Sequence, residues 1–164
     1  MKRDFATVQY AGNDYFVAVP PRGHAIALDM DGARSDASSP LELLLVALGG
    51  CTGADVISIL RKKRQRVTEY RVEVRGERRE EYPKSFRRME VRHILRGHAL
   101  SPAAVEQAIE LSNTKYCGVA ASLRPTVEIV SSYEIHPAEE TAETGAAAEE
   151  TTSPSSASAG RRGL

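Results

Sequence analysis

The chain has 164 residues, 41% of them apolar, enough for one hydrophobic core but not for two. Twenty-two basic residues balance 22 acidic ones, which excludes a net field drawing the whole protein to nucleic acid, an anionic membrane or an acidic substrate. Two cysteines in a chain without an export signal read as inert core residues or redox groups before a structural disulfide, and composition does not choose between those two uses.

The first thirty residues alternate polar and apolar and lack a basic stretch followed by an apolar run, so a cytoplasmic location is expected. Residues 5–10 and 15–19 are β-rich runs separated by Ala11-Gly12-Asn13-Asp14, which is hairpin-turn chemistry, and a third run follows at 25–30. After a small polar loop, Ser39-Pro40 supplies an N-cap and a proline at the first helical position, which predicts a long helix to about Lys63. Its apolar positions leave few polar interruptions, so most of its circumference should be buried. The stretch 41–60 approaches the length of a membrane span, but Glu42, Asp55, Thr52, Ser58 and three glycines interrupt it, and no membrane association is expected.

Farther on, Tyr70, Val72 and Val74 alternate with Arg71, Glu73 and Arg75, and Met89, Val91, His93 and Leu95 repeat the period, predicting a long hairpin with one wet face. Ser101-Pro102 opens a second helix, expected to end near Lys115, and a last strand is predicted at 125–135. From Pro137 the sequence is Ala, Glu, Thr, Ser and Gly with little to bury. The division expected is therefore a domain at 1–136 and a disordered tail at 137–164. Three strands, a long helix, two strands, a helix and a strand make a two-layer α+β domain.

Gly49, Gly50 and Gly53 flank Cys51 inside the long helix and cost it roughly 1 kcal/mol each relative to alanine. Either tight packing or the close approach of another helix or a reactant explains them. Leu44, Leu48, Cys51 and Asp55 share one stripe, so the thiol sits with apolar side chains and a carboxylate. Cys117 follows the second helix, where a short loop can return it to the first, and two thiols at a flexible junction suit a reversible disulfide. There is no Cys-x-x-Cys and no histidine at ligand spacing from either thiol, so no metal is expected. His93 reads as a core or rim histidine on a strand face. The cluster Arg61 to Arg66 and the Arg-rich strands, with Glu73, Glu77 and Glu90 alongside, read as a solvated, self-paired face rather than a nucleic-acid surface.

The run Ser39-Pro40-Leu41-Glu42-Leu43-Leu44-Leu45-Val46-Ala47-Leu48-Gly49-Gly50-Cys51, then Asp55-Val56-Ile57-Ser58-Ile59-Leu60, resembles the central helix of OsmC/Ohr-type proteins. The likeness extends to Lys115-Tyr116-Cys117 and to Ser132-Tyr133-Glu134-Ile135, covering residues 3–136. It implies a long central helix packed against antiparallel sheets in an intertwined homodimer. It also implies a thiol peroxidase of oxidative stress defence. Cys51 attacks an organic hydroperoxide, becomes a sulfenic acid and is resolved by Cys117. An external dithiol, with a lipoyl group or a lipoylated protein as candidate, then reduces the disulfide without metal or flavin.

On the same likeness Leu41, Leu44, Leu45 and Leu48 are the candidate substrate wall. Better-known members carry an arginine at the first hairpin turn, where this chain has none; Arg34 is the substitute candidate and Arg22 the second. They also carry an acid directly after the helix-opening proline; here Leu41 holds that place and Glu42 follows, about 100° round the helix. These departures resemble a less characterised Gly-Gly-Cys branch. The alternative function is a non-catalytic redox sensor or a binder of small hydrophobic ligands on the same fold.

Overall fold

A computed structural model describes residues 5–139. β1 (Thr7–Gly12), β2 (Tyr15–Val19) and β3 (Ile26–Asp29) form an antiparallel meander. Asn13 and Asp14 both adopt positive φ, 48° and 61°, the left-handed turn that a two-residue hairpin requires. α1 (Pro40–Lys62) follows, then the hairpin of β4 (Arg66–Arg78) and β5 (Phe86–His98). α2 (Pro102–Leu111), a π-helical turn (Ser112–Tyr116) and α3 (Gly118–Leu123) carry the chain across to β6 (Glu128–Pro137).

β6 pairs with β5 in parallel, Met89 opposite Ile129 and Leu95 opposite Ile135, so the expectation of wholly antiparallel sheets is corrected for this one pair. The physical reason is the connection: a helical crossover returns the chain to the same end of the sheet, whereas an antiparallel partner needs only a short turn. The second helix changes to π-helical geometry after Leu111 and runs on to Tyr116, in line with the predicted end near Lys115, and α3 was not anticipated. The low-complexity stretch expected from Pro137 lies, beyond Glu139, outside the described residues.

One face of the β4–β5–β6 sheet receives the helices. Every second residue of β5 from Met89 to Leu95 is buried, and α1 presents Leu48, Thr52, Val56 and Leu60, one turn apart, to the same core. Two apolar clusters result. Leu48, Phe86, Met89, Val91, Cys117 and Val127 gather at one end, and Val56, Leu60, Leu95, Leu100, Val105 and Ile109 at the other. The opposite face is the expected charge ladder, with Arg92 bonded to Glu134 at 2.5 Å and to Glu73 at 3.3 Å, and Arg88 to Glu90 and Glu128.

The flanking glycines are explained by the strand rather than by another helix. A Cβ on Gly49 would meet Val74 Cγ2 at 3.1 Å, and one on Gly53 would meet Val72 Cγ2 at 3.3 Å, so these two let α1 sit close on β4. Gly50, by contrast, faces open space. It belongs to an uncovered side of α1 on which Val46 is 66% and Leu44 36% exposed, contrary to the expected all-round burial. Among the described residues the N-terminal sheet likewise lacks extensive packing against any helix, and Val8, Tyr10, Val17, Val19 and Ile26 stand exposed on it. By length and composition α1 is apolar enough to cross a membrane; in the fold its buried stripe is spent on the sheet.

Between the two clusters lies a polar layer containing His93, which is fully buried. Its Nδ1 pairs with Tyr70 Oη at 2.7 Å, while Nε2 has no partner among the described residues. Burial pushes the Tyr70 phenol up and holds the His93 imidazole down, at about 4 against an ordinary 6.5. Over that window the unfolded chain takes up a proton that the folded chain refuses, so stability is complete above the ordinary value and falls as pH drops toward 4. Urea unfolding at pH 5 should therefore show roughly 2 kcal/mol less stability than at pH 7. His93→Leu should abolish this histidine's share of that difference, leaving only the dependence contributed by carboxylates.

Candidate dithiol site

The site grows from one turn of α1. Cys51 and Asp55 are four residues apart on the helix and project side by side, half-buried, above the core stripe. Cys117 arrives from the far side. The π-helical turn widens the end of α2 by one residue's worth of backbone, and the Cys117 N–H bonds to the Ser112 carbonyl at 2.9 Å. That places Cys117 at the N-cap of α3, where its sulfur accepts from the Ala120 N–H at 3.3 Å and lies 3.5 Å from Thr52 Oγ1. The Cys51 sulfur, the Cys117 sulfur and an Asp55 carboxylate oxygen all fall within 4.8 Å of one another. Both cysteines are free thiols.

Burial first, and charge in the cluster after it, oppose ionisation of Cys51. Burial pushes the Cys51 thiol above its ordinary value, a backbone N–H from Val119 pulls the other way, and the neighbouring Cys117 and the Asp55 carboxylate raise it further. Asp55 is itself held by Ser112, whose hydroxyl donates to Oδ2 at 3.0 Å. An open groove of about 450 Å³, lined by Asp55, Ile59, Leu111 and Tyr116 with Lys62 and Lys63 at its edge, leads from solvent to the carboxylate.

The structure thus brings together Cys51 and Cys117 and adds Asp55, which the sequence placed on the Cys51 stripe without a role. Its signal was the four-residue spacing from Cys51. Arg34 is held elsewhere: it bonds Asp29 at 3.0 Å and the Asn13 carbonyl at 2.6 Å, and its guanidinium stacks 4.5 Å from the Tyr15 ring centroid. Burial alone would raise the Asp29 carboxyl, but the Arg34 bond and the amides of Asp31 and Asp36 hold it below its ordinary value. Arg22 lies in the turn after β2.

Glu42 forms a capping box at the start of α1, its Oε2 accepting from the Ser39 N–H at 2.7 Å while Ser39 Oγ accepts from the Glu42 N–H. That backbone bond keeps the carboxyl below its usual range. Of the leucine wall, Leu48 is fully buried among Phe86, Met89 and Val91; Leu41 and Leu45 pack partly buried against the same cluster, and Leu44 faces outward.

A helix-borne thiol facing a second thiol at the cap of a crossover helix defines a small α+β dithiol protein. Comparison with known proteins gives the class a family. The OsmC-like protein family matches residues 32–132. Protein YhfA of Escherichia coli K12 is 43% identical over 131 residues, 79% of this chain and 96% of its own. A crystal structure of a hypothetical protein from Aquifex aeolicus VF5 is 32% identical, with TM-score 0.75 over 85% of this chain and 100% of that one. The organic hydroperoxide resistance protein of Elizabethkingia anophelis shares the fold at 13% identity, TM-score 0.63, over 83% of this chain and 98% of its own. The chain belongs to the OsmC-like protein family, and its fold is shared by proteins named for organic hydroperoxide resistance.

The capping box separates a structural from a chemical use of Glu42. Ser39→Ala should lower stability by about 1 kcal/mol. Glu42→Gln keeps an acceptor for the Ser39 amide, and should leave both the melting temperature and the rate of Cys51 alkylation near wild type. A slowed alkylation with unchanged melting would assign the carboxylate to the thiol instead.

Proposed function

We propose that the protein is a thiol-dependent peroxidase that reduces organic hydroperoxides in the cytoplasm. The observation that carries the reading is the approach of Cys51 on α1 and Cys117 at the cap of α3 to within 4.8 Å, near enough for a disulfide after a small backbone adjustment. The Cys51 thiolate attacks the O–O bond, an alcohol leaves, and the sulfenic acid condenses with Cys117 to a disulfide with loss of water. An external dithiol, of lipoyl type or on a lipoylated protein, restores both thiols. The half-buried leucines Leu41 and Leu45 favour an alkyl chain over hydrogen peroxide.

The same reading takes the functional unit as a homodimer. Uncovered apolar residues on α1 and on the N-terminal sheet are two surfaces that a second copy buries together. The loop after β3 carries Arg34, tied to the N-terminal sheet through Asp29 and the Asn13 carbonyl, so an exchange of sheets is the route by which that cation reaches the partner's thiol. Sedimentation should give twice the 17.8 kDa chain mass, and Val46→Asp on the exposed side of α1 should shift the protein to monomer.

A second reading, the redox sensor or ligand binder, is supported by the raised Cys51 thiol beside Asp55, which slows attack on peroxide. Consumption of cumene hydroperoxide and of hydrogen peroxide with dihydrolipoamide decides between them. Sustained turnover favouring the organic substrate, reduced at least about a hundredfold in Cys51→Ser and falling to a single stoichiometric event in Cys117→Ser, supports the peroxidase. Oxidation of wild type once, without turnover, supports the sensor.

A further inference from the structure

Two sulfurs and a carboxylate oxygen within 4.8 Å of one another form a donor set as well as a redox pair. We infer that the reduced site binds a single thiophilic divalent cation, with Zn²⁺ as the representative ion, through Cys51, Asp55 and Cys117, leaving the fourth position to water. The expectation of no metal rested on the lack of Cys-x-x-Cys and of histidine spacing, and this cluster uses neither. Cys51 and Asp55 are spaced i, i+4 on one helical face, the arrangement by which a helix offers two ligands to one ion, and the third ligand comes from a distant segment.

Tetrahedral Zn²⁺ bonds of about 2.3 Å to sulfur and 2.1 Å to oxygen put ligand atoms about 3.6–3.8 Å apart, so the cluster needs to contract by at most about 1 Å. The outer contacts suit the role. Ser112 Oγ holds Asp55 Oδ2 at 3.0 Å, leaving the other carboxylate oxygen for the ion, and Thr52 Oγ1 and the Ala120 N–H orient the Cys117 sulfur. The groove that opens on Asp55 gives an entry path. A divalent ion displaces the thiol protons on binding and takes two thiolates and a carboxylate into one ligand shell.

Metal and disulfide compete for the same sulfurs. With both bound as thiolates, a hydroperoxide and two protons yield the disulfide, an alcohol, water and the freed cation, the two electrons passing from the sulfurs to the O–O bond. Metal occupancy is thus confined to the reduced state, independently of whether turnover follows.

The test uses reduced, chelator-stripped, full-length protein titrated with Zn²⁺ against a chromophoric chelator. One ion per chain is expected, with none bound after diamide oxidation. Co²⁺ should give thiolate-to-metal charge transfer in the near ultraviolet and the visible bands of tetrahedral coordination. Cys51→Ser and Cys117→Ser should each weaken Zn²⁺ binding by about a hundredfold or more, and Asp55→Asn by about tenfold, with unchanged far-ultraviolet dichroism. Absence of stoichiometric binding to the reduced wild type overturns the inference, as does undiminished affinity in both Cys117→Ser and Asp55→Asn. Peroxide turnover is measured separately in excess chelator, so loss of the peroxidase reading and loss of the metal site give different results.

Discussion

The dithiol site depends on the seating of α1 against β4 and β5. Leu48, Thr52, Val56 and Leu60 form the buried stripe, and Gly49 and Gly53 let the helix come close enough to Val72 and Val74 for that stripe to reach the core. The contact fixes both the height of Cys51 above the sheet and the rotation of Asp55 about the helix axis. Thr52 belongs to the stripe and to the site at once, its hydroxyl facing the Cys117 sulfur from within the core. Interiors at crystal-like density resist displacement, so the register of the two cysteines follows from packing more than from the loop that joins them.

The second support is the crossover. β6 lies parallel to β5, so the chain between them must traverse the helical layer, and that path takes Ser112 and Cys117 past α1. A π-helical turn at such a place moves every later side chain by about 100° relative to a continuous α-helix, and here it turns the chain so that Cys117 caps α3. The amide groups at the start of α3 then face both sulfurs. Burial, with smaller contributions from Cys117 and the Asp55 carboxylate, outweighs these dipoles at Cys51, whose thiol stays above its ordinary value. The site has two sulfur donors and a carboxylate, and both chemistries proposed for it call for a cation, whether from a second subunit or from solution.

Apolar surface in this chain is distributed as a shared resource. α1 buries one side within its own domain and leaves the side with Val46 and Gly50 open, while the N-terminal meander has exposed apolar residues and no extensive helix packing among the described residues. A three-stranded sheet with no covering layer has little stability of its own, so both surfaces call for a partner.

Local signals were enough for much of this protein. Ser39-Pro40 and Ser101-Pro102 marked two helix starts, the Asn13-Asp14 turn marked a hairpin, and strict alternation in β4 and β5 sorted the charged face from the buried one, because caps, turns and pleats involve residues within a few positions of each other. The stripe holding Cys51 and Asp55 was visible for the same reason. Tertiary structure alone decided that β6 is parallel, that Asp55 joins the thiols, that His93 has a tyrosine on one nitrogen and no partner among the described residues on the other, and that Gly49 and Gly53 answer to a strand. Each of these depends on where a distant segment returns to α1 or β5. That return is set by the summed packing of the whole core, which no window of neighbouring residues contains.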